Sequence, residues 1–282
     1  MQIGNYQVKL LDAGRFRLDG GAMFGVVPRT LWERQKPGDE RNRIQMCTNL
    51  LLIEGEKRKI LVDTGIGDSF DDKLNDIYGV DHSRYSLASA LQQAGIKPEQ
   101  ITDVILTHLH FDHAGGSTFR DRNGTVRATF PNAKYYLQGR QFGWAMQPSE
   151  KDRASFFQQH FIPLQENNQL ILLEDGSELF PGIEVIPVEG HTVGQQMVLI
   201  HDDRQPLLFA GDLLPTSAHV SIPWVMAYDL YPLTTIEEKK HFLKRAVDQQ
   251  WIIVFEHDPV IPAATVALTE KGYRLQDKID LV

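Results

Sequence analysis

Short apolar runs broken by turn residues set the pattern of this chain, and several of them stop within a few positions of a histidine or a carboxylate. Residues 50–53 and 59–62 flank Glu54-Gly55-Glu56-Lys57-Arg58, a polar stretch that predicts a hairpin. Residues 101–107 (ITDVILT) are apolar and β-branched and read as a buried strand. Residues 185–188, 207–210 and 251–255 are further apolar runs of strand character. Two segments carry helical spacing instead. Ser86 can cap a helix through Ala94, with Leu87, Ala90, Leu91 and Ala94 on one face and Gly95 as the stop. Thr235-Ile236-Glu237-Glu238 fits a capping box opening a helix to about Gln250, which leads into the 251–255 strand. The chain has no internal repeat and no low-complexity tract.

The densest chemistry follows the 101–107 strand. His108-Leu109-His110-Phe111-Asp112-His113 places three histidines and one aspartate within six residues. Neutral imidazoles and a carboxylate are what a borderline divalent metal such as zinc selects, so the segment points to a metal site rather than to packing. In extended backbone, residues two apart point the same way, so His108 and His110 can reach one ion together. Ala114-Gly115-Gly116 comes next. Its glycines permit a tight turn or a close backbone approach, so Asp112 and His113 can face a second point beside the first. Gly190-His191-Thr192, Gly211-Asp212 and Glu256-His257-Asp258 each follow an apolar run by a few residues. Sites in layered α/β proteins gather at such strand ends, where loops from several strands converge.

These pieces, together with Leu61-Val62-Asp63-Thr64-Gly65, occur in an order that resembles the metallo-β-lactamase superfamily of metallohydrolases over residues 45–260. The resemblance implies an α/β fold, a four-layer αββα sandwich with two β-sheets between helical layers. It implies that His108, His110 and His191 hold one metal, that Asp112, His113 and His257 hold a second, and that Asp212 bridges both. It places Asp63 behind the metals, where a carboxylate can orient a ligand imidazole. Asp63 can also be read as a turn cap for Thr64-Gly65. The cofactor expected is two divalent metal ions, zinc foremost, with iron, manganese or cobalt also fitting the donors.

Composition agrees with an enzyme acting on small molecules. The chain has 282 residues, which we expect to form a single domain, and a formal net charge of −8 that argues against sequence-independent nucleic-acid binding. One cysteine, Cys47, rules out an intramolecular disulfide and a cysteine-rich metal site and reads as a packed small side chain. The N-terminal residues lack the basic and long apolar segments of a signal peptide, and no apolar run approaches a membrane span. A cytoplasmic location with no nucleic-acid or membrane partner is therefore expected, with a homodimer left open.

Two divalent ions lower the pKa of bound water from about 16 to about 7 and polarise a carbonyl or phosphoryl oxygen. The expected reaction is hydrolysis of a small ester or lactone by a metal-bridging hydroxide. Asp112 would orient the hydroxide or pass its proton to the leaving group. The alternatives are phosphotriester or phosphodiester hydrolysis, or a glyoxalase-II-like thioesterase. Lys271, Arg274 and Lys278 read as a solvated tail rather than a glutathione site. Lactonases of this superfamily often carry a tyrosine three residues after the bridging aspartate, and here that position is Pro215. Aromatic loops at residues 20–43, 139–169 and 218–232 are candidate pocket walls, with Phe24, Trp224 and Tyr228 as candidate substrate contacts. The same aromatics can instead pack under their own loops or at a dimer contact. His219 reads as a loop histidine or one that supports the ligands from behind rather than as a ligand, His82, His160, His201 and His241 as surface residues, and Gly65-Ile66-Gly67 as a turn.

Overall fold

A computed structural model of the chain describes residues 1–55, 57–202 and 204–281. Strands β1 (Gln2–Ile3), β2 (Tyr6–Asp19), β3 (Arg43–Gly55), β4 (Arg58–Val62) and β5 (Asp103–Ile105) begin the first sheet. Strands β6 (Thr118–Arg120) and β7 (Val126–Ala128) form a separate ribbon, and β8 (Lys134–Gln138) and β9 (Leu170–Leu173) complete the first sheet in the order β1-β2-β3-β4-β5-β8-β9. Strands β10 (Ser177–Phe180), β11 (Ile183–Val188), β12 (Gln195–Ile200), β13 (Leu207–Phe209), β14 (Ile252–Val254), β15 (Ala263–Thr269) and β16 (Gly272–Lys278) form the second sheet in sequence order.

Period-two alternation explains why these strands read as continuous apolar runs. Leu51, Ile53, Ile60, Val62 and Ile105 of the first sheet meet Val198, Ile200, Leu207, Phe209, Ile252 and Val254 of the second in one buried layer. The intervening residues face outward under helices. Leu50, Leu52, Leu61 and Val104 pack against Leu87, Ala90 and Leu91, while Met197, Leu199, Leu208 and Ile253 pack against Phe242, Leu243 and Ala246. The result is the four-layer αββα sandwich expected from the sequence.

The 50–53/59–62 hairpin forms as β3–β4, in antiparallel register from Leu51↔Val62 to Gly55↔Arg58; Glu56 of its turn lies outside the described residues. The helix Leu87–Gln93 has the cap expected at Ser86, and Ser89 closes it reciprocally into a capping box. It ends at Gly95, whose φ of +71° lets Ile96 N donate back to Leu91 O. The second helix begins earlier than the capping-box reading places it. It spans Pro232–Asp248 because Pro232, with its fixed φ and missing N–H, takes the first helical position. Thr235 is then inside the first turn, and its hydroxyl donates to Tyr231 O. The Glu238 carboxylate accepts from the backbone N–H groups of Glu189 and Gly190, so it braces the loop that carries His191. Among the described residues, no helix is long and apolar enough to cross a membrane.

Candidate metal centre

Strand direction brings the candidate ligands to one edge. Strand β4 is parallel to β5, and β13 to β14; β11 is antiparallel to β12, which is antiparallel to β13, so β11, β13 and β14 run the same way. Asp63, His108, His191, Asp212 and His257 follow the C-terminal ends of β4, β5, β11, β13 and β14 by one to three residues. His110 precedes the one-turn helix Phe111–Ala114, which carries Asp112 and His113. The glycines behind that turn are required by close approach. A Cβ at Gly115 would lie 2.0 Å from Ile66 O, and one at Gly116 2.2 Å from Thr64 O. That contact locks the Asp63–Gly67 turn onto the histidine segment, and Thr64 N and its hydroxyl both donate to His113 O.

Three clusters of ligand atoms result. His108, His110, His191 and Asp212 converge in one and Asp112, His113 and His257 in a second, while Asp63 and Glu256 meet the far ring nitrogen of His113 in the third. Asp212 divides its carboxylate between the first two: Oδ2 is 3.2 Å from His191 Nε2, while Oδ1 is 3.1 Å from His257 Nε2 and 3.5 Å from His113 Nε2.

The hydrogen bonds on the far side of each ring decide which nitrogen carries a proton. His257 Nδ1 lies 2.8 Å from Cys47 O, which can only accept, so Nδ1 is the donor and Nε2 keeps a lone pair. His191 Nδ1 donates to Asp229 Oδ1 (3.0 Å) and His113 Nδ1 to Asp63 Oδ2 (3.0 Å). Thr107 donates its hydroxyl to Asp63 Oδ2 (2.7 Å) and therefore accepts from His108 Nδ1 (3.0 Å). In the neutral rings of His108, His113, His191 and His257 the inward nitrogen is then the lone pair, and His110, whose buried Nε2 has no partner among the described residues, turns its Nδ1 into the same space. His257 Nε2 is 3.1 Å from His113 Nε2, and His110 Nδ1 is 3.0 Å from His108 Nε2 and 3.1 Å from His191 Nε2. Asp212 Oδ1 is buried and accepts no hydrogen bond among the described residues. Lone pairs crowded together and left without donors are what a shared cation satisfies. Ligands about 2.0–2.1 Å from a tetrahedral zinc stand roughly 3.3 Å apart, close to these separations.

The electrostatics carry the same sign. Burial and neighbouring imidazoles hold His108 and His110 well below the usual histidine range, leaving them neutral. Burial opposes protonation of His113 and His257, yet the carboxylates around them outweigh it, raising His113 well above the usual histidine range and His257 to about 9, so a proton and a cation compete for the inward nitrogens of these two rings. Burial would raise the Asp212 pKa, but His113, His257 and His191 hold it well below the carboxylate range. The pocket draws positive charge, and Asp63, Asp112, Asp212 and Glu256 are buried in or behind it.

A cavity of about 140 Å³ opens onto His110, Asp112, His191, Asp212 and His257. Leu18, Met23, Met46, Phe111 and Met226 supply its apolar wall, and Tyr78, Tyr228 and Lys151 also line it. A larger groove of about 960 Å³ between the helix Leu87–Gln93 and β6–β7 holds none of the converging donors, so we place the chemistry in the smaller cavity.

The aromatic loops divide between packing and lining. Tyr228 lines the cavity, but Phe24 and Trp224 do not. Phe24 is wholly buried, stacked on Trp32 (5.5 Å) and His219 (5.0 Å) and set edge-on to Trp224 (5.5 Å), so the 20–43 and 218–232 segments interlock through these rings. His219 is buried among them, donating to Met23 O and accepting from Thr216. His160 departs from its surface reading: it is buried, 2.8 Å from the Ser69 hydroxyl and stacked on Phe157. The Asp63 side chain turns toward Thr107 and His113 rather than capping Thr64-Gly65. Three residues that sequence reasoning gave no role stand beside the cluster. Asp229 orients His191, Glu256 Oε2 lies 3.0 Å from His113 Nδ1, and Lys151 reaches the cavity wall.

The profile of the Metallo-beta-lactamase superfamily matches residues 48–257. The chain belongs to this superfamily. Within it, the chain is 29% identical over 260 residues to an N-acyl homoserine lactonase of Bacillus cereus, covering 88% of this chain and 91% of that one. It is similar to the crystal structure of a probable metal-dependent hydrolase from Staphylococcus aureus, with a TM-score of 0.86, 32% identity, and coverage of 99% and 100% of the two chains. The fold of AidC, a dizinc quorum-quenching lactonase solved with a product, also matches, with a TM-score of 0.81 and 19% identity over 100% of this chain and 97% of that one.

Proposed function

We propose that this superfamily member is a dinuclear metallohydrolase that opens lactones, with N-acyl homoserine lactones as the leading substrate class. The observation that carries this reading is the division of one buried carboxylate, Asp212, between two clusters of converging ligand nitrogens. The lactonases among the chain's relatives supply the substrate class. His108, His110 and His191 would hold one ion, Asp112, His113 and His257 the other, and Asp212 both. Zinc suits the histidine-rich donors, with iron, manganese or cobalt as alternatives. When bound, the pair supplies a deprotonated water near neutral pH and polarises the acyl oxygen under attack.

The chain's own residues do the rest. Asp112 lines the cavity, with Oδ2 3.6 Å from His257 Nε2. From there a carboxylate oxygen can take the nucleophile's proton and return it to the ring oxygen as the acyl–oxygen bond breaks, giving a hydroxy acid. Asp63, Asp229 and the Cys47 carbonyl fix the tautomers of His113, His191 and His257. Burial holds the Tyr228 phenol above its usual range, so it stays a donor for an acyl oxygen, in place of the tyrosine that Pro215 replaces. The Met23, Met46, Phe111 and Met226 wall suits an aliphatic acyl chain.

A hydrolysis panel tests this reading. Zinc-loaded protein should turn over N-acyl homoserine lactones with kcat/KM at least about tenfold above aryl phosphotriesters and S-acyl glutathione thioesters, a difference of about 1.4 kcal/mol in the barrier. A phosphotriester or thioester as the best substrate would refute the lactonase assignment.

A further inference from the structure

Lys151 sits on the cavity wall and is not one of the candidate ligands. Its ammonium donates to three consecutive backbone carbonyls, Ala227 O, Tyr228 O and Asp229 O, each at 2.8 Å. An ammonium has three N–H donors, and here each has an acceptor. Both ends of this clamp are braced. On the lysine side, buried Asp152 accepts from Trp144 Nε1 (2.7 Å) and the Ser149 hydroxyl (2.7 Å), and Arg153 N donates to Ser149 O. On the carbonyl side, Ala227 N donates to Ala22 O and Leu230 N to His191 O. The clamped residues matter to the site: Tyr228 lines the cavity, and Asp229 accepts from His191 Nδ1.

We infer that Lys151 is a positioning residue for the metal centre: by gripping residues 227–229 it sets Asp229 against His191 and holds Tyr228 in the cavity wall. The inference rests on the proposed metal centre for its zinc arm and on the proposed substrate for its kinetic arm. A backbone carbonyl held at a fixed point fixes its own Cα, so the Asp229 carboxylate meets His191 Nδ1 without a search. Without the clamp, the 227–229 segment gains freedom, His191 loses part of its orientation, and the cavity loses a fixed wall. The loss of a group that orients a ligand histidine typically weakens metal binding about 10–100-fold. Lys151 acts one link further out, so the lower figure is expected.

The test uses the full chain with Lys151→Met, which keeps length and removes the donors, and Lys151→Arg, which keeps the charge and several donors. Zinc affinity is measured by chelator competition, amide hydrogen exchange is followed over residues 226–231, and KM and kcat are measured on an N-acyl homoserine lactone. Lys151→Met should bind one of its two zinc ions about tenfold more weakly, exchange faster at 226–231, and show a raised KM. Lys151→Arg should recover part of each. If the Met variant does not fold, Lys151→Gln, which keeps a shorter donor, takes its place with the same expectations. Wild-type zinc affinity and exchange in a folded variant overturn the inference, as does a lowered melting temperature with zinc affinity unchanged, because that marks a merely structural lysine. A wild type that binds two zinc ions yet opens no lactone refutes the proposed substrate while the zinc and exchange arms still decide the role of Lys151. A wild type that binds no zinc refutes both.

Discussion

Asp212→Ala is expected to leave at most one tightly bound divalent ion per chain and to lower kcat/KM for a lactone by about a thousandfold, equivalent to about 4 kcal/mol. The carboxylate reaches both clusters through different oxygens, so its loss strips each of an anionic donor. It also removes the negative charge between the two ions. Two dications about 4 Å apart repel by roughly 4 kcal/mol even at the permittivity of water, and by more in a buried site. His110 Nδ1, His108 Nε2 and His191 Nε2 still converge in the variant, so one ion can stay. Elemental analysis and steady-state kinetics on the same preparation check both halves. Two ions and unchanged kcat/KM would remove Asp212 from its bridging role.

Lys36→Ala should destabilise the fold by about 3–5 kcal/mol, the usual cost of stranding one partner of a buried ion pair. For a chain of this size that lowers the melting temperature by about 6–20 °C. Lys36 Nζ is 2.6 Å from Asp258 Oδ2, and Asp258 is wholly buried. The same carboxylate accepts from Ser217 N, Val260 N and Ile261 N, so it knits the 20–43 segment to the loop beside His257. The effect carries a pH signature. Burial raises the Asp258 pKa, and Lys36, with the hydrogen bonds from Ser217 and Ile261, outweighs it to give a lowered value. A lowered folded-state pKa contributes stability above the unfolded carboxylate pKa and loses it as pH falls through the folded value. Without Lys36 the hydrogen bonds from Ser217 and Ile261 still oppose burial, but the folded-state pKa rises, so protonation of Asp258 costs the variant less than it costs wild type. The gap in melting temperature between wild type and variant should therefore narrow from pH 7 towards pH 4. A gap under about 2 °C at pH 7, or one that widens in acid, would contradict this.

The convergence of the candidate ligands was legible because they share a context that needs no tertiary knowledge. An apolar run gives a strand, and parallel strand ends gather at one edge. His108, His110, His191 and His257 all follow strands, and their neighbours Gly115 and Gly116 mark a backbone contact that the structure shows at Ile66 O and Thr64 O. Asp229, Glu256 and Lys151 were not legible as site residues. Their importance lies in pairings such as His191–Asp229, 38 positions apart, and Lys151–Tyr228, 77 apart, which no local pattern encodes. The aromatic loops failed differently. Hydrophobicity says that Phe24 and Trp224 will be covered, but not whether substrate or protein covers them. Here Trp32 and His219 cover Phe24, while Met23, its neighbour in sequence, faces the cavity. Thr235 was read as a cap because Ser/Thr-x-x-Glu is a common helix opening, but the φ of Pro232 suits the first helical turn and set an earlier start.

The central claim is a centre of two metal ions that performs hydrolysis, and a metal titration of the apoprotein tests it most directly. The chelated protein is given zinc in sub-stoichiometric steps while bound zinc and lactone hydrolysis are read together. The account predicts uptake that saturates at two ions per chain, with activity rising mainly on the second. Saturation below one ion, or lactone turnover in the metal-free protein equal to that of the loaded one, would contradict it.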